Sequence, residues 1–170
     1  MKRLLFILFI AFFLGCKKNK TSDAYSSSFS FDVNSTSYDW SFNFNSLSAD
    51  GYAIATKYPA IGGAPSGYKL SGFNNNQDIT LNCFMETNSL SPTTYKSITT
   101  SLTGIIQSSY RINGINYAPI NLNDSMVVTI SKVSNNQISG TFNAVMHDVN
   151  TTTIKLEIKN GIFTNILVSN

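Results

Sequence analysis

Apolar and polar residues follow two different rules along this chain. Every residue from Leu4 to Leu14 is apolar, and Lys2 and Arg3 precede the run. A helix needs about 20 apolar residues to span a bilayer, so this run is too short. It fits the apolar core of an export signal, about 7–15 residues. With no polar residue inside it, the run has no amphipathic face with which to lie on a membrane surface. The pattern predicts a cleaved signal peptide over residues 1–15, with Cys16 as the first mature residue.

From Phe29 onward the rule changes to alternation. β-branched and aromatic residues take every second position, which is the signature of half-buried strands. Phe29, Phe31 and Val33 alternate, Asn34-Ser35 turns the chain, and Tyr38, Trp40, Phe42 and Phe44 continue the pattern. Strands are expected at Tyr52–Lys57, Tyr68–Phe73 and Ile79–Glu86, the last two around the Asn74-Asn75-Asn76 turn. Tyr58–Gly67, with Pro59 and Pro65, and Asn88–Ser101, with Pro92, are expected to be loops. Asn113-Gly114 suits a type I′ hairpin turn, in which both central residues take positive φ. That turn pairs Ile112 with Ile115 and Tyr110 with Tyr117. Met126–Val133 and Ile138–His147 flank a polar turn at Ser134–Gln137. A last hairpin is expected at Lys159-Asn160-Gly161-Ile162, placing Ile158 opposite Phe163.

These elements predict an all-β domain of about nine or ten strands, in an antiparallel meander joined by short turns. Both a two-sheet sandwich and a flattened barrel satisfy the pattern. The expected organisation is a signal peptide over 1–15, a flexible tether over 16–28 and a single β domain over 29–170.

Charge changes the picture once it is located. The formal net charge is +3, yet Lys2, Arg3, Lys17, Lys18 and Lys20 all precede the first acidic residue. The remainder carries seven basic and nine acidic side chains. No basic stripe is available for a phosphate backbone, which excludes nucleic acid as the expected partner. The two cysteines divide in the same way. Cys16 belongs to the leader, and Cys83 shares one strand face with Ile79, Leu81 and Met85, where it reads as a small buried hydrophobe.

Phe13-Leu14-Gly15-Cys16 resembles the lipobox of bacterial lipoproteins. The resemblance implies a diacylglyceryl group on the Cys16 sulfur, cleavage before that residue and an acylated amine. Several acyl chains, at about 0.8 kcal/mol per buried CH₂, give durable anchoring. The domain itself is similar to small β-rich lipoproteins of Bacteroidota. Ile138-Ser139-Gly140-Thr141-Phe142, Asn160-Gly161-Ile162-Phe163 and the opening Phe29-Ser30-Phe31-Asp32-Val33-Asn34 carry that likeness. It implies no settled activity and no catalytic residues. Surface-exposed members often have an acidic cluster after the cysteine. The basic cluster here points to an outer-membrane anchor facing the periplasm.

Candidate chemistry is sparse. His147 is the only histidine and is expected at an exposed strand end, with Asp148 beside it. Zinc needs three or four His, Cys or carboxylate ligands, and one histidine with one free cysteine points away from such a site. Asn121–Asp124 and Asn74–Asp78 offer oxygens but lack the spacing of a calcium loop, so they read as polar turns. No metal, cofactor or catalytic residue is expected. Aromatic residues are the remaining lead: Tyr38, Trp40 and Tyr52, and Tyr110 with Tyr117, form either an exposed platform or part of the core. The expected function is therefore a non-enzymatic, lipid-anchored binding or structural module of the cell envelope. Its partners would be the membrane, through Cys16, and a glycan, peptide or envelope protein. The alternative is a β-barrel carrier enclosing a small apolar ligand.

Overall fold

The computed structural model describes residues 26–43, 51–60, 66–98 and 108–169. Cys16, the leader, Phe44 and most of the tether lie outside them. Among the described residues eleven strands are formed: β1 (Ser26–Val33), β2 (Thr36–Asn43), β3 (Gly51–Tyr58), β4 (Gly67–Asn74), β5 (Ile79–Glu86), β6 (Thr94–Ile98), β7 (Ser109–Ile112), β8 (Ile115–Ala118), β9 (Ser125–Ser134), β10 (Gln137–Asp148) and β11 (Lys155–Ser169). The all-β expectation holds. β1 takes in Ser26–Ser28, which composition placed in the tether, and β6 forms inside the expected Asn88–Ser101 loop.

All strands belong to one 11-stranded sheet that closes on itself through β11-β3-β4-β5-β7-β8-β10 and back to β11. Two strands turn the corners. β11 pairs with β1 along its first part, then passes to β3 at Leu167–Ser169. β10 pairs with β9 along most of its length, then passes to β8 at His147 and Asp148. One wall is thus β2-β1-β11-β10-β9-β6, and the other is β3-β4-β5-β7-β8. This is a flattened barrel, with sandwich-like walls continuous at two corners. Among the described pairings, β11 with β3 is parallel and the others are antiparallel.

The space between the walls is filled by the alternating apolar positions. Phe29, Phe31, Trp40, Phe142 and Phe163 from one wall are all at most 2% exposed. They meet Leu70, Leu81, Cys83 and Tyr110, all fully buried, from the other. Phe31 packs edge-on to Trp40 at 4.9 Å and to Tyr110 at 6.3 Å across the interior. Each such side chain contributes about 1.5–3 kcal/mol by leaving water.

Short two-residue turns hold the hairpins. Asn34-Ser35, Asn113-Gly114 and Asn135-Asn136 all take positive φ at both positions, as type I′ geometry needs. The β7–β8 register is as expected, Tyr110 with Tyr117 and Ile112 with Ile115.

The expected hairpin at Lys159–Ile162 does not form. β11 runs straight through it, and Ile158 and Phe163 lie on the same strand. Asn160 takes φ 53° without reversing the chain, because β1 and β10 already flank β11 on both sides. The extra residue becomes a bulge, and the Asn160 side-chain amide donates to Asp32 Oδ2 at 2.7 Å. A second irregularity follows at Asn165, φ 53°, whose N–H donates to Ser139 Oγ at 2.9 Å.

Candidate functional site

The aromatic residues singled out in the sequence do not come together. Trp40 is 2% exposed, and its indole N–H donates to Gln77 Oε1 at 2.6 Å. Tyr38 is half-buried and stacks on Phe31 at 5.4 Å. Tyr110 and Tyr117 are buried neighbours with ring centroids 6.4 Å apart. These four belong to the core. Tyr52 alone stands on a solvent face, 37% exposed.

That face is the outer side of the β3–β8 wall. Ala53, Leu70, Leu81 and Tyr110 point inward, so the residues next to them in sequence point outward. Cross-strand register then aligns Tyr52, Phe73, Thr80, Arg111 and Asn116 in one row over β3, β4, β5, β7 and β8. Strands lie about 4.8 Å apart, so the row is about 19 Å long. Tyr52 and Phe73 touch at one end, with centroids 5.7 Å apart and planes at 39°. Arg111 and Asn116 are exposed at the other end.

The next row holds Ile54, Ser71, Asn82 and Ser109. Ser71 Oγ donates to Asn82 Oδ1 at 2.9 Å, and Asn82 Nδ2 donates to Ser109 Oγ at 3.2 Å. This ladder of side-chain bonds stiffens the floor beside the aromatic pair. The third row brings Lys69 beside Thr56 and Phe84, with its Nζ 4.8 Å above the Tyr58 ring. Sequence reasoning missed all of these but Tyr52, because the rows exist only once five strands are in register.

His147 is more enclosed than expected, with its side chain 17% exposed. Its Nδ1 lies 2.9 Å from Asp124 Oδ2, and the Asp124 side chain is 1% exposed. Asp124 Oδ2 also accepts the N–H groups of Ile120 and Asn121, at 3.1 and 2.9 Å. The pair therefore pins the β8–β9 connection to the end of β10. Asp148, the neighbour in sequence, faces the other way. It accepts the Asn150 N–H and the Thr151 hydroxyl, which hold its carboxyl below the ordinary carboxylate range. Asn121–Asp124 is a turn, closed by the Asp124 N–H donating to the Asn121 carbonyl at 2.9 Å.

Cys83 is fully buried, and burial pushes its thiol pKa well above the ordinary range. Among the described residues, no group of three or more His, Cys, Asp or Glu is arranged to hold a metal ion. No protein-family model, curated protein or solved structure matches the chain.

Proposed function

We propose that this protein is a lipoprotein of the cell envelope, anchored through Cys16 to the outer membrane on its periplasmic side, and that it works as a non-enzymatic binding module. The observation that carries the binding reading is the Tyr52–Asn116 row. It combines an aromatic pair, a hydroxyl, a guanidinium and an amide on one exposed sheet face.

The anchoring reading rests on the sequence of residues 1–16 and on the likeness to small Bacteroidota lipoproteins. The position of β1 sets the reach of such an anchor. Residues 16–25 separate the lipid from Ser26, and an extended chain reaches at most about 3.3–3.6 Å per residue. The tether would hold the domain within about 35 Å of the membrane, close enough to work on envelope material. A carrier would need room inside the barrel for its ligand. Phe29, Phe31, Phe142, Phe163 and Tyr110 occupy that interior, which favours recognition on the outer face.

Metabolic labelling with an alkyne fatty acid, followed by membrane fractionation, tests the anchor. Label should enter the full chain and be lost in Cys16→Ala, and an unlabelled parent chain would overturn this reading. For binding, the full-chain lipoprotein serves as bait against envelope extracts and a glycan array. Recovery of neither a glycan nor an envelope component refutes the module.

A further inference from the structure

We infer that the Tyr52–Phe73–Thr80–Arg111–Asn116 row takes an acidic glycan, a run of sugar rings bearing carboxylates. This rests on the binding reading above and specifies its ligand. The aromatic pair offers a continuous apolar surface for the C–H faces of a sugar ring. Thr80 and Asn116 supply side chains that donate and accept hydrogen bonds, as sugar hydroxyls require.

The charge comes from Arg111. It is the only arginine after Arg3, in a chain that otherwise uses lysine for every cation. A guanidinium presents a planar fork that matches a carboxylate in two parallel bonds, whereas an ammonium acts as a point charge. Among the described residues Arg111 has no ionic partner, and it stands exposed in the row. Lys69, two rows away on the same face, adds a second positive charge. Glu86 lies at the far end of β5 from Thr80, about 20 Å away at the strand rise. Asp78, exposed in the turn before β5, lies two residues from Thr80 in sequence, as Asp50 does from Tyr52, and opposes an anionic ligand.

The spacing fits a chain rather than a single sugar. A ring stacked across Tyr52 on β3 and Phe73 on β4 is centred about two and a half strand spacings from Arg111 on β7, about 12 Å. The carboxylate that reaches Arg111 must therefore sit on a later sugar of the same polymer.

Full-chain protein in detergent, titrated with oligogalacturonate, its methyl ester and polyglutamate, tests the inference. Oligogalacturonate should bind at least tenfold tighter than the uncharged ester, with affinity falling as salt rises. Arg111→Gln should weaken it about ten- to a hundredfold, Arg111→Lys about tenfold and Tyr52→Ala about tenfold. Asp78→Asn should tighten it a few-fold. All three positions are exposed, and unchanged melting of each of the four variants confirms an intact fold. Equal binding of the methyl ester, or an Arg111→Gln variant that binds like the parent, overturns the acidic ligand. If Tyr52→Ala still loses binding in that case, the binding face itself survives. Equal binding of polyglutamate overturns the glycan in favour of any polyanion. Absence of binding to all three probes overturns the inference, and the bait experiment above decides the wider reading independently.

Discussion

Gly140→Ala adds a methyl group where the fold has no room for one. A Cβ on Gly140 would lie 2.0 Å from the Thr129 carbonyl oxygen, 2.7 Å from Phe163 Cζ and 3.0 Å from Ile130 Cα. Two of these are backbone atoms of β9, so a side-chain rotation cannot relieve the contact. Overpacking a core typically costs about 1–3 kcal/mol, and a clash with backbone belongs at the upper end, about 3 kcal/mol. For a chain of this length each kcal/mol lowers Tm by about 2–4 °C, so the variant should melt about 6–12 °C below the parent. Trp40, the only tryptophan and a buried one, reports the transition by its fluorescence. Gly161→Ala is the mirror experiment. Its Cβ would meet the Phe142 carbonyl oxygen at 2.3 Å and the Phe142 ring at 2.8 Å. The two sites are reciprocal, because Gly140 pairs with Phe163 and Phe142 pairs with Gly161 on antiparallel strands. Each phenylalanine lies over the glycine opposite. Neither glycine has positive φ, so close approach and not backbone conformation sets the cost. A Gly140→Ala Tm within about 1 °C of the parent would refute this register and the bulge beside it.

Three further outcomes follow from buried and charged groups. Among the described residues Tyr110 Oη is buried and meets no partner in good hydrogen-bond geometry, with the Tyr38 hydroxyl beside it. Tyr110→Phe should therefore raise stability by about 1–3 kcal/mol, and a lower Tm would show that the hydroxyl is satisfied in solution. Cys83 should resist an aromatic disulfide reagent in the native protein and react only in denaturant, since its raised pKa and burial withhold the thiolate. Rapid native labelling, with Cys16 replaced by alanine, would contradict that. Lys155 and Lys159 hold the Glu157 carboxyl at about 2. A depressed carboxylate stabilises the fold above its ordinary pKa, and this contribution is lost as pH falls from about 4.5 toward 2. Glu157→Gln should flatten the fall in Tm over that window, and an unchanged acid profile would show the ion pairs to be inert.

Alternation alone located most of the strands, and the reason is physical. Each wall of the barrel buries one face and wets the other, so Ile79, Leu81, Cys83 and Met85 are all fully buried and their neighbours are not. The turns were less legible. Asn113-Gly114 and Asn160-Gly161 are the same dipeptide in similar apolar company, yet one reverses the chain and the other only bulges it. Asn favours the left-handed region in both places. What differs is tertiary: β7 and β8 pair with each other, whereas β11 is gripped from both sides by β1 and β10. Strand β6 was hidden for a related reason. Thr94–Ile98 follows Pro92 in a run rich in Ser and Thr, and it is a strand because β9 offers it an edge from Ser125 to Thr129.

The candidate site shows the same limit more sharply. No single strand contains more than one member of the Tyr52–Asn116 row, so no local pattern marks it. Its residues become neighbours only after the β4–β5 turn and the β7–β8 hairpin fix their registers, and β5 pairs with β7 across the intervening β6. The one sequence signal that survives is compositional: a lone arginine in a domain of lysines. A lysine would serve for solubility at that position, so the guanidinium is the residue on this face whose geometry asks for a partner.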